Sequence, residues 1–128
     1  MNYPNNLKYT KDHEWADLIA DNQIRIGITD HAQSSLGDIV YLDLPKVGRE
    51  LKAHETFGVV ESIKAVSDLF SPVNGKVAQA NEALVGDPAK INSNAHGEWM
   101  IVIEASDAKA QFASLMDAAA YSAFVKSL

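Results

Sequence analysis

Residues 59–68 read Val59-Val60-Glu61-Ser62-Ile63-Lys64-Ala65-Val66-Ser67-Asp68, and this stretch predicts a β-hairpin. Its two arms are rich in β-favouring residues, so we expect strands over residues 56–62 and 66–70. The turn between them contains no Gly, Asn, Asp or Pro, but a type I turn accepts most residue types. Lys64 at the tip should extend into solvent, with Glu61 and Asp68 on either side. An exposed lysine is usually a solubilising residue, so the local pattern alone assigns it no function.

Further segments alternate apolar and polar residues with period two, which is typical of half-buried strands. Residues 15–20 and 23–28 alternate on either side of a polar dipeptide, and this predicts a second hairpin. Residues 39–44 predict a strand that places Val40, Leu42 and Leu44 on one face. The pattern therefore favours a mainly-β chain.

The second half of the chain continues this pattern. Asn74-Gly75 is a favourable turn dipeptide and predicts a tight turn between the residues that flank it. Residues 99–104 predict a last strand, with Trp99, Ile101 and Ile103 on one face.

Helical signals are few and short. Thr29 or Asp30 can cap a helix that ends at Leu36, where Gly37 supplies a left-handed stop. Asp87-Pro88 predicts an N-cap followed by a single helical turn.

After residue 106 the spacing becomes helical. Phe112, Leu115 and Met116 form one apolar stripe, and Asp117 can cap a further helix. We expect this segment, about residues 107–128, to pack against the side of the β core, which spans about residues 7–105. The expected organisation is a single domain over residues 1–128.

Composition narrows the classes of function. The 128 residues include 47% hydrophobic and 22% charged residues, and the net charge is −6, which disfavours binding to nucleic acid or to an anionic membrane surface. The chain contains no cysteine, so thiol nucleophiles, disulfides and Cys-ligated metals are excluded. No apolar run is long enough to span a membrane and no targeting segment is evident, so we expect a cytoplasmic protein. Four histidines are scattered along the chain, so a metal site is expected only if the fold gathers them: His13, His31, His54 and His96.

Several motifs, in order and at compatible spacing, resemble the H proteins of the glycine cleavage system. The first is residues 58–68, which resemble the lipoyl-attachment motif of that family. The others are residues 12–15, 27–33, 36–40, 44–48, 71–75 and 81–84. One departure is a missing glycine before Trp99, with Asn94-Ala95-His96 in place of a more usual Asp-Pro-Tyr.

The resemblance implies a fold and a role. The expected fold is a barrel-sandwich hybrid of two β-sheets, similar to lipoyl and biotinyl domains, with short helices and a C-terminal helical segment. The expected role is that of a non-enzymatic, monomeric carrier with lipoate attached to Lys64. It would pass the aminomethyl group of glycine from a pyridoxal-phosphate glycine decarboxylase to a tetrahydrofolate-dependent aminomethyltransferase. Electrons would go to dihydrolipoyl dehydrogenase, an FAD protein, and a lipoate ligase or octanoyltransferase would attach the arm.

The resemblance also suggests residues around the arm. Glu14 matches a family position near the arm's resting site, and Asp68 follows the attachment turn, so both are expected to accept hydrogen bonds from a protonated amine in a cleft. Glu14 could instead be a surface charge on an edge strand, and Asp68 could stabilise the turn. Glu61 and Asp68 could also be recognised by the attaching enzyme. Trp15 is expected in the core, and His31 at the start of a helix.

Four other readings compete with this one. A lipoyl domain of a 2-oxo-acid dehydrogenase complex usually carries Asp-Lys-Ala at its tip, whereas Ile63-Lys64-Ala65 stands here. A biotin carrier would carry Met-Lys-Met. An enzyme that uses Lys64 as a Schiff-base nucleophile needs a buried lysine with a depressed pKa, which a hairpin tip provides poorly. The fourth is an unmodified interaction module.

Overall fold

A computed structural model describes residues 2–128, and its strands form two antiparallel sheets. The strands are β1 (Lys8–Tyr9), β2 (Glu14–Ala20), β3 (Gln23–Ile28), β4 (Ile39–Asp43), β5 (Glu50–Leu51), β6 (Thr56–Ser62), β7 (Val66–Phe70), β8 (Gly75–Ala80) and β9 (Ile101–Glu104). Their orders are β1-β2-β3-β9-β8-β5 and β4-β6-β7. This confirms the expected mainly-β fold of two sheets. Within the described residues the strand pairings close neither sheet into a barrel.

The helices are short, as the sequence predicts. They are α1 (Asp30–Leu36), α2 (Glu82–Val85), α3 (Lys90–Ser93), α4 (Ala108–Ala113) and α5 (Ala118–Lys126). Thr29 caps α1 through its side chain, and Gly37 follows it at φ 82°, so both predicted ends of that helix are confirmed.

Both predicted hairpins are present. β2 pairs with β3 and places Trp15 opposite Gly27, while β6 pairs with β7. A β-carbon at Gly27 would lie 2.6 Å from the Trp15 ring, so glycine makes room for the indole there. Trp15 is buried, and its Nε1 donates to the Ala95 carbonyl at 3.0 Å. The prediction that Trp15 is a core residue is confirmed.

The main core lies between the two sheets. Buried side chains from the larger sheet, such as Ile26 and Ile103, cluster with Leu42 and Val60 from the smaller one. Burial of this apolar surface, at about 25 cal/mol per Å², stabilises the packing of one sheet on the other. The smaller sheet is thereby fixed with its β6–β7 turn at the molecular surface.

A second cluster lies under the C-terminal helix. Tyr121 of α5 stacks on Tyr9, with ring centroids 4.7 Å apart, and both are completely buried beside Trp15. Asp117 caps α5 by accepting from the Ala120 backbone N–H at 2.8 Å. The predicted cap and the predicted packing of the tail against the β core are confirmed. The predicted single stripe of Phe112, Leu115 and Met116 is wrong, because α4 ends at Ala113 and Met116 instead pairs with Tyr9 as a β-bridge.

The prediction that Val40 shares a face with Leu42 is wrong. Ile39 pairs with Ser62 and Tyr41 with Glu61, so Val40 is an extra residue in β4. Such a bulge shifts the alternation of side chains. As a result Val40 is 56% exposed although Leu42 is buried.

Three local predictions in the second half also need correction. Asn74-Gly75 does not form a tight turn between paired strands, because β7 ends at Phe70 and β8, which begins at Gly75, pairs with β5 and β9. The Asn74 side chain instead accepts from the Ala53 backbone N–H. The last strand begins at Ile101, and Trp99 packs in the second cluster rather than with Ile101 and Ile103.

The third correction concerns residues 82–93. α2 was not predicted, and α3 begins at Lys90 with Ala89 in the cap position rather than Asp87.

In residues 2–128 no helix is long and apolar enough to cross a membrane. The single domain over residues 1–128 stays a prediction, and residue 1 lies outside the described residues.

Candidate functional site

The turn between β6 and β7, residues 62–65, is organised by Ser62. The backbone N–H of Ser62 donates to the Ala65 carbonyl at 2.8 Å, which closes the turn. The Ser62 hydroxyl oxygen accepts from the backbone N–H groups of Lys64 at 3.3 Å and Ala65 at 3.0 Å. A serine at the first turn position therefore replaces the Gly, Asn, Asp or Pro that the turn lacks. The sequence analysis did not single out Ser62, although serine is favoured at that position.

Lys64 is exposed at this turn, as predicted. Among residues 2–128, no ion pair involves its amine, so neither Glu61 nor Asp68 neutralises it. The prediction that its stem extends away from the body is wrong, because the stem lies over Gly37: a β-carbon there would be 3.3 Å from Lys64 Cε and 3.8 Å from Nζ. Ile63 beside it is 73% exposed. The amine is therefore accessible to a modifying enzyme.

Glu61 and Asp68 lie on the outer face of the three-stranded sheet. Glu61 pairs with Tyr41 and Val66, and Asp68 pairs with Val59. Tyr41 and Val66 are exposed on this face, so the two carboxylates stand among apolar side chains beside the β6–β7 turn. No hydrogen bond within the described residues reaches the Asp68 side chain, and the turn is closed by Ser62 instead. The reading of Asp68 as a turn-stabilising acceptor is therefore wrong.

Glu14 is buried, with 2% of its surface exposed, so the reading of it as a surface charge is also wrong. The Thr10 hydroxyl donates to its carboxyl oxygen at 2.8 Å, and the Phe70 backbone also contacts the carboxyl group. Burial raises the pKa of Glu14 to about 8, and the charge of Asp12 adds to this, against the two hydrogen bonds. At neutral pH Glu14 is therefore largely protonated.

A cavity of about 250 Å³ lies beside the β6–β7 hairpin. It is lined by Asp12, His13, His31, Ala32, Ser35, Leu36 and Ser67. Neither Glu14 nor Asp68 lines it, although each adjoins a residue that does. Successive residues of a strand point to opposite faces, so Ser67 faces the cavity while Asp68 faces outward. The structure thus does not bring the two predicted carboxylates together in this cavity.

Two histidines form one wall of the cavity. The ring centroids of His13 and His31 lie 4.6 Å apart, and the His13 backbone has a left-handed conformation with φ 66°. Burial lowers the pKa of His13, and the neighbouring His31 lowers it further. His31 is the second residue of α1, so its predicted place at a helix start is confirmed. Sequence spacing alone could not indicate that it meets His13.

The C-terminal helix holds this wall in place. The Tyr121 hydroxyl is 2.8 Å from His13 Nδ1 and 2.8 Å from the Thr29 hydroxyl, which also caps α1. The Thr29 backbone N–H donates to the His13 carbonyl at 3.0 Å. One buried tyrosine thereby links the loop before β2 to the start of α1.

The segment that departs from the expected family pattern has structural partners. The Ala95 carbonyl accepts from Trp15, and His96 Nε2 accepts from the Asp30 backbone N–H at 3.1 Å. Burial lowers the pKa of His96, which favours the neutral ring that this bond requires. Within the described residues no group of three or more metal-binding side chains occurs.

Comparisons with known proteins decide the family. A profile described as glycine cleavage H-protein matches residues 7–128. The chain belongs to the glycine cleavage H-protein family. It is 52% identical over 126 residues to a glycine cleavage system H protein of Acidobacterium capsulatum, which covers 98% of this chain and 96% of that protein. It is 53% identical over 127 residues to the H protein of Anaeromyxobacter sp. strain K, which covers 98% of each.

The fold of a solved member of the H-protein family agrees. The crystal structure of a glycine cleavage system H protein from Mycobacterium marinum superposes with a TM-score of 0.88 at 36% identity, over 97% of this chain and 99% of the other. The family assignment makes this chain a carrier component of the glycine cleavage system and not itself a catalyst. The resemblance seen in the sequence motifs is therefore confirmed at the level of the family.

Proposed function

We propose that Lys64 carries the lipoyl group of this H protein through an amide bond. The observation that carries the proposal is the exposed Lys64 amine, without an ion pair among residues 2–128, on a turn that Ser62 organises. The residues fit such a group, because amide formation needs an accessible primary amine. When bound, lipoate supplies a dithiol–disulfide pair, which this cysteine-free chain lacks.

The carrier's proposed partners are those of the sequence analysis. The loaded arm would move an aminomethyl group from a pyridoxal-phosphate glycine decarboxylase to a tetrahydrofolate-dependent aminomethyltransferase. Dihydrolipoyl dehydrogenase, with FAD, would take the electrons. Covalent tethering keeps the cargo at a high effective concentration near each partner. We place the protein in the cytoplasm as a monomer.

The cavity beside the hairpin is the proposed resting site of the arm. Ser67 and Asp12 supply oxygen acceptors there, and His13 and His31 supply ring nitrogens. Glu14 lies next to His13 and holds a proton at neutral pH. Because Glu14 does not line this cavity, the proposed acceptors for a protonated amine there are Asp12, Ser67 and the two ring nitrogens.

Glu61 and Asp68 have a different proposed role. Both lie on the outer sheet face beside Lys64, where Tyr41 and Val66 are exposed. A lipoate ligase or octanoyltransferase would recognise this mixed acidic and apolar surface, with its own basic groups opposite the two carboxylates.

Mass spectrometry tests the proposal. The chain is expressed in cells that make lipoate, and its intact mass and peptides are measured. We expect one lipoyl group on the Lys64 peptide, its loss in Lys64→Arg, and its retention in the control Lys76→Arg. Modification of Lys52 or Lys76 instead, or an unmodified chain despite active lipoylation of other proteins, would refute the proposal.

A further inference from the structure

The attachment turn rests on the segment that joins α1 to β4. The Ile63 backbone N–H, one residue before the attachment lysine, donates to the Asp38 carbonyl at 3.1 Å. Gly37 lies directly under the Lys64 stem. The position of the turn therefore depends on the position of residues 37–39.

Residues 37–39 are held in place by the side chain of Asn92 in α3. The Asn92 amide nitrogen donates to the Gly37 carbonyl at 2.9 Å, and its amide oxygen accepts from the Ile39 backbone N–H at 2.9 Å. One side chain thus bonds the backbone on both sides of Asp38, the residue that receives Ile63. No other side chain among residues 2–128 hydrogen-bonds the backbone of this segment.

The orientation of Asn92 is itself determined. Its second amide hydrogen goes to Gln33 Oε1 at 3.0 Å, and Gln33 Nε2 donates to Asp30 Oδ1 at 2.7 Å. A carboxylate such as that of Asp30 can only accept, so Gln33 presents its nitrogen to Asp30 and its oxygen to Asn92, and Asn92 presents its nitrogen to Gln33. An asparagine side chain supplies the two N–H donors and the one oxygen acceptor that these three bonds require, whereas an aspartate side chain has no N–H donor.

We propose that Asn92 is a positioning residue for modification of Lys64: it clamps residues 37–39 so that the attachment turn is held in the form that the lipoate-attaching enzyme recognises. The proposal rests on the proposed function of Lys64. Asn92 acts through Asp38 and Ile63. When only a fraction of the molecules holds the competent form, the apparent affinity of the attaching enzyme for the chain is reduced to that fraction of its full value. The rate of attachment at saturation is unchanged.

The test compares Asn92→Asp with the wild-type chain and with Asn94→Asp. Asn94 directly follows α3, is exposed, and its side chain makes no hydrogen bond among the described residues, so its variant makes the same chemical change without touching the clamp. Purified lipoate ligase, lipoate and ATP are used to measure attachment to each unmodified chain. We expect KM for the Asn92→Asp chain to rise about tenfold with kcat unchanged, and Asn94→Asp to match wild type.

A second readout needs no lipoate. Amide hydrogen exchange at Ile63 should accelerate about tenfold in Asn92→Asp, while exchange at Met100, whose N–H donates to the Ile26 carbonyl in the core, stays as in wild type. A merely structural role would change global stability and both amides together. If Asn92→Asp does not fold, Gln33→Leu removes one Asn92 acceptor and should raise KM at least threefold.

The outcomes separate the two proposals. A folded Asn92→Asp chain with wild-type KM and wild-type exchange at Ile63 overturns the clamp. A wild-type chain that takes no lipoyl group at Lys64 overturns the proposed function, and the Ile63 exchange then still tests whether Asn92 holds the turn.

Discussion

Glu14 should make the folded state lose stability as the pH rises. Burial raises the pKa of its carboxyl group from 4.5 to about 8, so the folded chain binds this proton more tightly than the unfolded chain does. The stabilising contribution is complete below a pH of about 4.5 and is lost as the pH rises through about 8. Between these two values, each increase of one pH unit lowers the free energy of unfolding by about 1.4 kcal/mol. From about pH 5 to about pH 7.5 the loss is about 3 kcal/mol.

Urea unfolding of wild type and Glu14→Gln over this range measures the effect. The variant has no titrating group at this position, so its stability relative to wild type should increase by about 3 kcal/mol between the two ends of the range. Glu50→Gln, which removes an exposed carboxylate in β5, is the matched control and should run parallel to wild type. A constant difference between wild type and Glu14→Gln across the range would show that Glu14 is already ionised in the folded chain at pH 5 and would refute the reasoning.

Three further substitutions test other parts of the structure. Ser62→Ala removes the acceptor of two turn N–H groups, so it should lower the free energy of unfolding in urea by about 1 kcal/mol and slow lipoyl attachment. Unchanged values of both would mean that the hydroxyl does not organise the turn. Tyr121→Phe leaves the polar atoms of His13 and Thr29 without their partner and should cost about 1–3 kcal/mol by the same assay, a result that equal stability would contradict. Gly27→Ala places a β-carbon against the Trp15 ring and should cost about 1–3 kcal/mol, with a changed near-ultraviolet circular dichroism; a wild-type spectrum and stability would contradict the close packing.

Local patterns predicted the elements whose determinants are local. The β6–β7 hairpin and the α1 helix follow from residues that are neighbours in sequence, such as Thr29 as a cap and Gly37 as a stop. The β4 strand was placed correctly, but the bulge at Val40 depends on its pairing with β6, which alternation within one strand does not contain. The Asn74 side chain accepts a hydrogen bond from the Ala53 backbone N–H, and that contact likewise joins residues that are far apart along the chain.

The candidate site divides in the same way. Exposure of Lys64 at a turn was predictable, because the turn and its arms are contiguous. The burial of Glu14 and its high pKa depend on Thr10 and on the Phe70 backbone across the fold, so the sequence left a surface reading open. The contact of His13 with His31 and the clamp by Asn92 likewise join residues that are far apart along the chain.

Glycine-dependent exchange of bicarbonate, measured with purified glycine decarboxylase, tests most directly whether Lys64 is the carrying residue. The lipoylated wild-type chain and lipoylated Lys76→Arg should both support exchange, and Lys64→Arg from the same cells should not. Exchange supported by Lys64→Arg at the wild-type level, or none with a wild-type chain shown to be lipoylated, would contradict the account.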